Sequence, residues 1–158
     1  MSSSPALLTS PESRTRRFGL AWLLFALSLG LHVTDEALTR FLTVYNPTVL
    51  ELRSRVPWLR LPLFGFQEWL TTLSLAVGVL LLLTPVAYSA PRWMRVAAVP
   101  LSIVIGILNG CDHLGATILG HTFSDIRFPR PAPGTYSSPF LIAAGINLLL
   151  ATRAARTQ

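Results

Sequence analysis

Four apolar stretches, near residues 18–38, 62–83, 95–119 and 136–152, leave this chain few folds to choose from. A helix needs roughly 20 mostly apolar residues to cross a hydrocarbon core of about 30 Å, and each stretch supplies close to that. Of 158 residues, 51% are hydrophobic and 13% charged, too apolar and too charge-poor for an ordinary soluble domain. The pattern predicts an all-α integral membrane protein, a four-helix bundle over residues 16–153. A disordered Ser- and Pro-rich tail over 1–15 precedes it and a short tail over 154–158 follows. Between the first two spans, residues 39–61 mix charge with apolar side chains between prolines, which predicts an interfacial turn or short helix.

The net charge of +6 comes from arginine alone, because the chain contains no lysine, and the arginines lie in the ends and links. Interfacial arginines face lipid phosphates, whereas a nucleic-acid module gathers them on a soluble face with exposed aromatics. Nucleic acid is therefore excluded as a partner and membrane lipid expected. Arg14, Arg16 and Arg17 precede an apolar run, as in a signal peptide, but the run continues through His32 to Leu38 without a small-residue cleavage site. A retained helix is the expectation. Alternate sides carry seven and six arginines, and the triplet next to the first span favours both termini in the cytoplasm.

Pro100 is expected to kink the third span, and Gly106, Gly110 and Gly115 to admit close neighbours. Trp58, Trp69 and Trp93 read as interface anchors, Cys111 as a buried small residue, and Asn147 as an interhelical hydrogen-bonding group. A homo-oligomer is compatible with all of this.

Two of the three histidines lie inside apolar stretches beside polar or acidic residues: His32 with Asp35 and Glu36, and His113 with Asn109 and Asp112. An ionisable side chain at membrane depth costs about 2.5–3.5 kcal/mol on insertion scales, so such residues mark a site or a polar pathway. Positions i, i+3 and i+4 share a helix face, which lets His32, Asp35 and Glu36 project together, and likewise Asn109 and His113. The first and third spans run the same way, and both sets lie toward their C-terminal ends. Glu68, near the start of the oppositely directed second span, falls on the same side. One polar cavity follows from these directions, with His121 either capping it or facing water.

A carboxylate beside a histidine fixes its tautomer and lets it exchange a proton with a substrate. His32 and Glu36 are the expected proton-transfer pair, with Asn109 and His113 polarising or positioning the substrate. Asp35 would orient His32, and Glu68 and Asp112 would support the local charge. The reading is an enzyme acting on a lipophilic small molecule by isomerisation, hydration or cyclisation. The same residues leave other readings open. His32, Glu36 and His113 form a two-histidine, one-carboxylate set suited to a divalent metal in a non-enzymatic metal- or ligand-binding protein. Structural pairing between helices, and transport or sensing, are the remaining alternatives, though the featureless run Val79 to Leu83 argues against a transport route.

His32-Val33-Thr34-Asp35-Glu36 resembles the motif that names the HXXEE family of small bacterial membrane proteins, with Asp35 in place of the first Glu. Asn109-Gly110-Cys111-Asp112-His113 is similar to that family's Asn-x-x-x-His element, and Pro133-Gly134-Thr135 to its Pro-Gly turn. The resemblance spans roughly residues 20–150. It implies a helical domain in a bacterial inner membrane with a His, acid and Asn site, and it names no reaction. Asp35 shortens one carboxylate arm, which favours an orienting role there. In architecture alone, the arrangement is similar to membrane isomerases of the emopamil-binding type.

Overall fold

The computed structural model describes residues 11–121, 127 and 130–155. It is all-helical, with one isolated bridge between His121 and Arg127 as the extended pairing among the described residues. Helix α1 runs Pro11–Leu38, α2 Leu42–Arg55, α3 Phe66–Leu82 and α4 Thr84–Ala87. Helix α5, Arg92–Pro100, continues through a π-helical segment, Leu101–Leu108, into α6, Asn109–Leu119, and α7 spans Ser138–Ala154. Residues 11–15, expected in the tail, are the first turns of α1. Residues 1–10 and 156–158 lie outside the described residues.

Among the described residues, three helical stretches are long and apolar enough to cross a membrane: Glu12–Leu38, Arg92–Leu119 and Ser138–Ala155. The second expected span is shorter than the sequence pattern suggested. Its helix, α3, has 17 residues and covers about 25 Å at 1.5 Å per residue. The shortfall has a local cause in α2, which holds the preceding chain extended. Asn46 Nδ2 donates to the Phe64 carbonyl at 2.9 Å while Asn46 Oδ1 accepts from the Phe64 N–H at 3.2 Å. Tyr45 Oη donates to the Pro62 carbonyl at 3.1 Å, and Arg53 donates to that of Leu61. With these backbone groups satisfied by side chains, the helix begins at Phe66 rather than Pro62. The Tyr45 hydroxyl is pushed up from its usual range by burial, against the opposing pull of the Arg53 charge.

The core lies where α1, α5 and α7 meet. Phe18, Trp22 and Phe25 project from α1, Met94 and Ala98 from α5, and Leu141 and Leu148 from α7. Gly106 of the π segment lies directly against Gly145 of α7, where a Cβ on Gly106 would stand 2.9 Å from the Gly145 Cα. Gly110 packs as tightly on Ile142, but Gly115, expected to admit a neighbour, faces open space. The outer faces stay apolar: Leu20, Leu24, Leu27 and Leu31 on α1 and Leu75, Val79 and Leu82 on α3 are all exposed. An apolar belt of this extent is what a helical chain presents to lipid.

Polar ties fix the directions of the helices. Trp22 Nε1 donates to the Leu80 carbonyl at 2.8 Å, joining the first half of α1 to the end of α3, and the two helices run antiparallel. Replacing Trp22 by Phe removes that bond, and the expected loss is about 1 kcal/mol in addition to any packing change. Thermal unfolding in detergent, compared with wild type, checks it.

The π segment follows Pro100, whose missing N–H interrupts the regular ladder. Its register is visible in the buried residues Met94, Ala98, Ser102, Gly106 and Gly110, each four positions after the last. In a regular α-helix of 3.6 residues per turn that spacing drifts by about 40° per step. Wider π turns absorb the drift and keep the stripe against α7.

Several expectations are corrected. Trp69 is buried, stacked at 6.0 Å from Phe41 and 6.2 Å from Phe66, and is no interface anchor, whereas Trp58 and Trp93 are exposed. Cys111 is exposed, not buried. Asn147 makes no side-chain hydrogen bond among the described residues and lines a shallow groove with Arg16 and Arg17.

Candidate functional site

The buried face of α1 runs through Phe18, Trp22 and Phe25 to His32 and Glu36, one helical stripe that changes from apolar to ionisable near its C-terminal end. The parallel helix α6 brings His113 to the same depth. His32, Glu36 and His113 are 1%, 5% and 4% exposed, so the cluster is sealed from bulk surroundings. Glu36 sits between the histidines: its Oε1 lies 3.1 Å from His113 Nε2 and 3.6 Å from His32 Nε2. The two imidazoles meet edge to face, with ring centres 4.8 Å apart.

A chain of hydrogen bonds orients His32. Its Nδ1 is 2.9 Å from Ser137 Oγ, and Ser137 donates both its hydroxyl and its backbone N–H to Asp35 Oδ2 at 2.8 Å. The Asp35 carboxylate only accepts, so the Ser137 hydroxyl donates to it and accepts from His32 Nδ1–H. That assignment leaves His32 Nε2 as an acceptor, and the Asn109 amide Nδ2 donates to it at 3.1 Å. Asp35, expected to act on His32 directly, reaches it through Ser137.

His113 is held differently. Its Nε2 is buried 3.1 Å from Glu36 Oε1, at ion-pair distance but short of a well-aligned hydrogen bond. Its Nδ1 lies on the side of the Gly134 turn.

The segment from Ala132 to Ser138 closes over the cluster. Gly134 takes φ +80°, a conformation natural to glycine, and a Cβ there would stand 2.9 Å from the His113 ring and 3.1 Å from Glu36 Cγ. The turn is pinned on both sides. The Gly134 N–H donates to Thr39 Oγ1 at 3.1 Å, and Ser138 Oγ donates to the Gly134 carbonyl at 2.7 Å. Thr117 Oγ1 accepts from the Ala132 N–H at 2.9 Å.

A cavity of about 590 Å³ opens beside the cluster, between α2 and α6. Its walls are largely apolar, with Val44, Val49, Leu52, Leu108, Ala116 and Leu119 among them, and His113 is part of the wall. Asp112, Cys111 and His121 line it as well, and a Cβ added at Gly115, on its border, would meet no neighbouring group within 4 Å. His113 is therefore the residue shared by the buried cluster and the cavity. Phe41 packs on the His113 ring at 5.6 Å and also faces the cavity.

Of the residues singled out in the sequence, His32, Asp35, Glu36, Asn109 and His113 come together. Asp112 is exposed and reaches the cavity but not the cluster, and His121 lies at the cavity edge, paired in backbone with Arg127. Glu68 is exposed on α3 and is not part of the cluster: Trp69, the next residue, turns inward in its place. Sequence reasoning missed Ser137 and the closure by Gly134. A signal for Ser137 existed in Ser137-Ser138-Pro139, a polar start to a helix with proline in its first turn.

The fold and cluster define a class, a helical protein with three potential membrane-crossing helices around a buried His, Glu and His centre. No protein-family model matches the chain, and neither a curated protein nor a solved structure matches it.

Proposed function

We propose that this chain is an integral membrane enzyme that acts on a lipophilic small molecule by acid/base chemistry. One observation carries the reading: His113 is at once a member of the buried cluster with Glu36 and part of the wall of an apolar cavity. The volume, about 590 Å³, lies within the roughly 300–1,000 Å³ of small-molecule pockets, which are apolar with a few placed polar groups. Helix α3, extended by α4, serves as a fourth and shorter crossing. Both termini then face the cytoplasm of a bacterial inner membrane, and kinship to the HXXEE proteins rests on the His32 to Glu36 and Asn109 to His113 elements.

In this reading His113 meets the substrate's reacting group and exchanges a proton with it, and Glu36, at ion-pair distance, takes or returns that proton. His32, held in one tautomer by Ser137 and Asp35, offers Nε2 to the same space and completes a two-way shuttle. Isomerisation, hydration or cyclisation each require only such paired transfers. A second reading, a membrane protein that binds a ligand or metal without converting it, is favoured by the convergence of the three side chains itself.

Occupancy of the cavity is tested at Gly115, where a side chain meets open space. Gly115→Phe should fill the cavity while leaving the helix as stable as wild type or more so, since glycine costs about 1 kcal/mol in a helix interior. Mass spectrometry of protein released from detergent should find a lipophile with wild type and lose it with the variant. An unchanged lipid profile would sink the proposal that this cavity holds the substrate.

A further inference from the structure

The acceptor balance at the cluster has a chemical consequence. Three side chains, His32, Glu36 and His113, each direct one donor-capable atom into a common space, with all three atoms within 4.8 Å of one another. His32 Nδ1 is engaged by Ser137, so its Nε2 presents a lone pair. His113 Nδ1 lies against the Gly134 turn, and its Nε2, 3.1 Å from Glu36 Oε1, faces the same space. Glu36 adds a carboxylate oxygen between them. Two imidazole nitrogens and a carboxylate gathered in a buried space suit a cation.

We propose that His32 Nε2, Glu36 Oε1 and His113 Nε2 bind one divalent metal of the zinc class. Two histidines and one glutamate are a donor set that catalytic zinc accepts, leaving a fourth position for water or a ligand. Ligands at about 2.0–2.2 Å from a tetrahedral ion lie about 3.3–3.6 Å from one another. Of the distances from Glu36 Oε1, 3.1 Å falls just below that range and 3.6 Å at its upper end.

The surroundings of the donors support a metal as well as the donors do. A ligating histidine commonly gives its second ring N–H to a carboxylate or a backbone carbonyl, which fixes the tautomer and turns the other nitrogen to the metal. The first arrangement occurs here for His32, whose Nδ1 reaches the Asp35 carboxylate through Ser137. A cluster built only to pair helices has no need for both ring nitrogens to be held. Asn109, which donates to His32 Nε2 at 3.1 Å, yields that position when the ion binds.

The proposal rests on the second, metal-binding reading: with their atoms on an ion, His113 Nε2 and Glu36 Oε1 cannot also relay a proton, while the lipophile cavity is tested on its own. The full-length protein, purified in detergent and treated with chelator, is titrated with Co²⁺ and with Zn²⁺, and bound metal is counted by elemental analysis. One equivalent is expected for wild type and for the exposed control Glu68→Gln, and none for Glu36→Gln or His113→Ala. Ser137→Ala and Asp35→Asn should retain the metal with affinity lower by about 10- to 100-fold, the usual effect of a residue behind a ligand. His113→Cys guards against misfolded variants, because a thiolate on Co²⁺ adds a charge-transfer band that reports ligation directly. No stoichiometric metal on wild type overturns the proposal. Binding that survives both Glu36→Gln and His113→Ala, or cobalt bound to His113→Cys without the new band, overturns it equally. In each of those cases displacement of a lipophile by Gly115→Phe still tests the enzyme reading.

Discussion

On the proposed acid/base reading, Glu36→Gln is expected to slow conversion of the lipophile by about 10²- to 10⁴-fold, the range that a positioned acid/base group contributes. The substitution preserves size and removes both the charge and the ability to carry a proton between His113 and His32, which lie 3.1 Å and 3.6 Å from its Oε1. Because Glu36 is only 5% exposed, a solvent base is a poor substitute for it. Glu68→Gln, on an exposed position of α3, should stay within about twofold of wild type, because exposed charges are screened and weakly coupled. The measurement follows the co-purified lipophile and its product by mass spectrometry in membranes carrying each variant. A Glu36→Gln rate within threefold of wild type would remove Glu36 from the chemistry. It would leave the cluster as a packing or binding device.

The second large effect concerns assembly of the fold rather than chemistry. Gly106→Leu should destabilise the protein by more than the about 1–3 kcal/mol typical of overpacking, because the obstacle is backbone. Even a Cβ would stand 2.9 Å from the Gly145 Cα and 3.0 Å from the Phe25 ring. The main chain of α7 cannot yield as a side chain can, so α7 must move away from the π segment or the variant must fail to assemble. Gly115→Leu supplies the contrast nine residues on, where nothing lies within 4 Å of the added carbon. Thermal unfolding in detergent should show a large drop for the first variant and none for the second. Equal drops at both positions would mean that helix propensity, and not the α7 contact, sets the outcome.

Much of this organisation was legible in the residue order. Helix direction placed His32 and Glu36 at the level of Asn109 and His113, and all four meet. The apolar stretches lie within about three residues of the ends of the long helices, since hydrophobic length is a property of the local sequence, except that α1 begins at Pro11 rather than near residue 18. What escaped depended on partners distant in the chain. Helix α3 starts late because Asn46, Tyr45 and Arg53 hold residues 61–64 extended, a competition that propensity does not reveal. Glu68 and Trp69 are adjacent, and a rotation of the helix by one position decides which enters the interior. Trp69 packs on Phe41, in the turn between α1 and α2, a partner distant in the chain. Ser137 was overlooked because a serine next to a helix start has many ordinary uses, and only the fold shows it joining Asp35 to His32. The period of four in Ala98, Ser102, Gly106 and Gly110 was present to be read, but a search at 3.6 residues per turn passes over it.

The widened turns between Leu101 and Leu108 therefore set the phase of everything beyond them. In an α-helix each residue advances about 100°, so a chain one residue shorter in this segment would still pass as an apolar helix of nearly the same length and composition. Its Asn109 and His113, however, would be wound away from Glu36 toward lipid. The distinction between a membrane anchor and a chemical centre is then a matter of rotational timing: two chains with indistinguishable hydropathy profiles, differing by one residue in the middle of a span, would present different faces to the same interior.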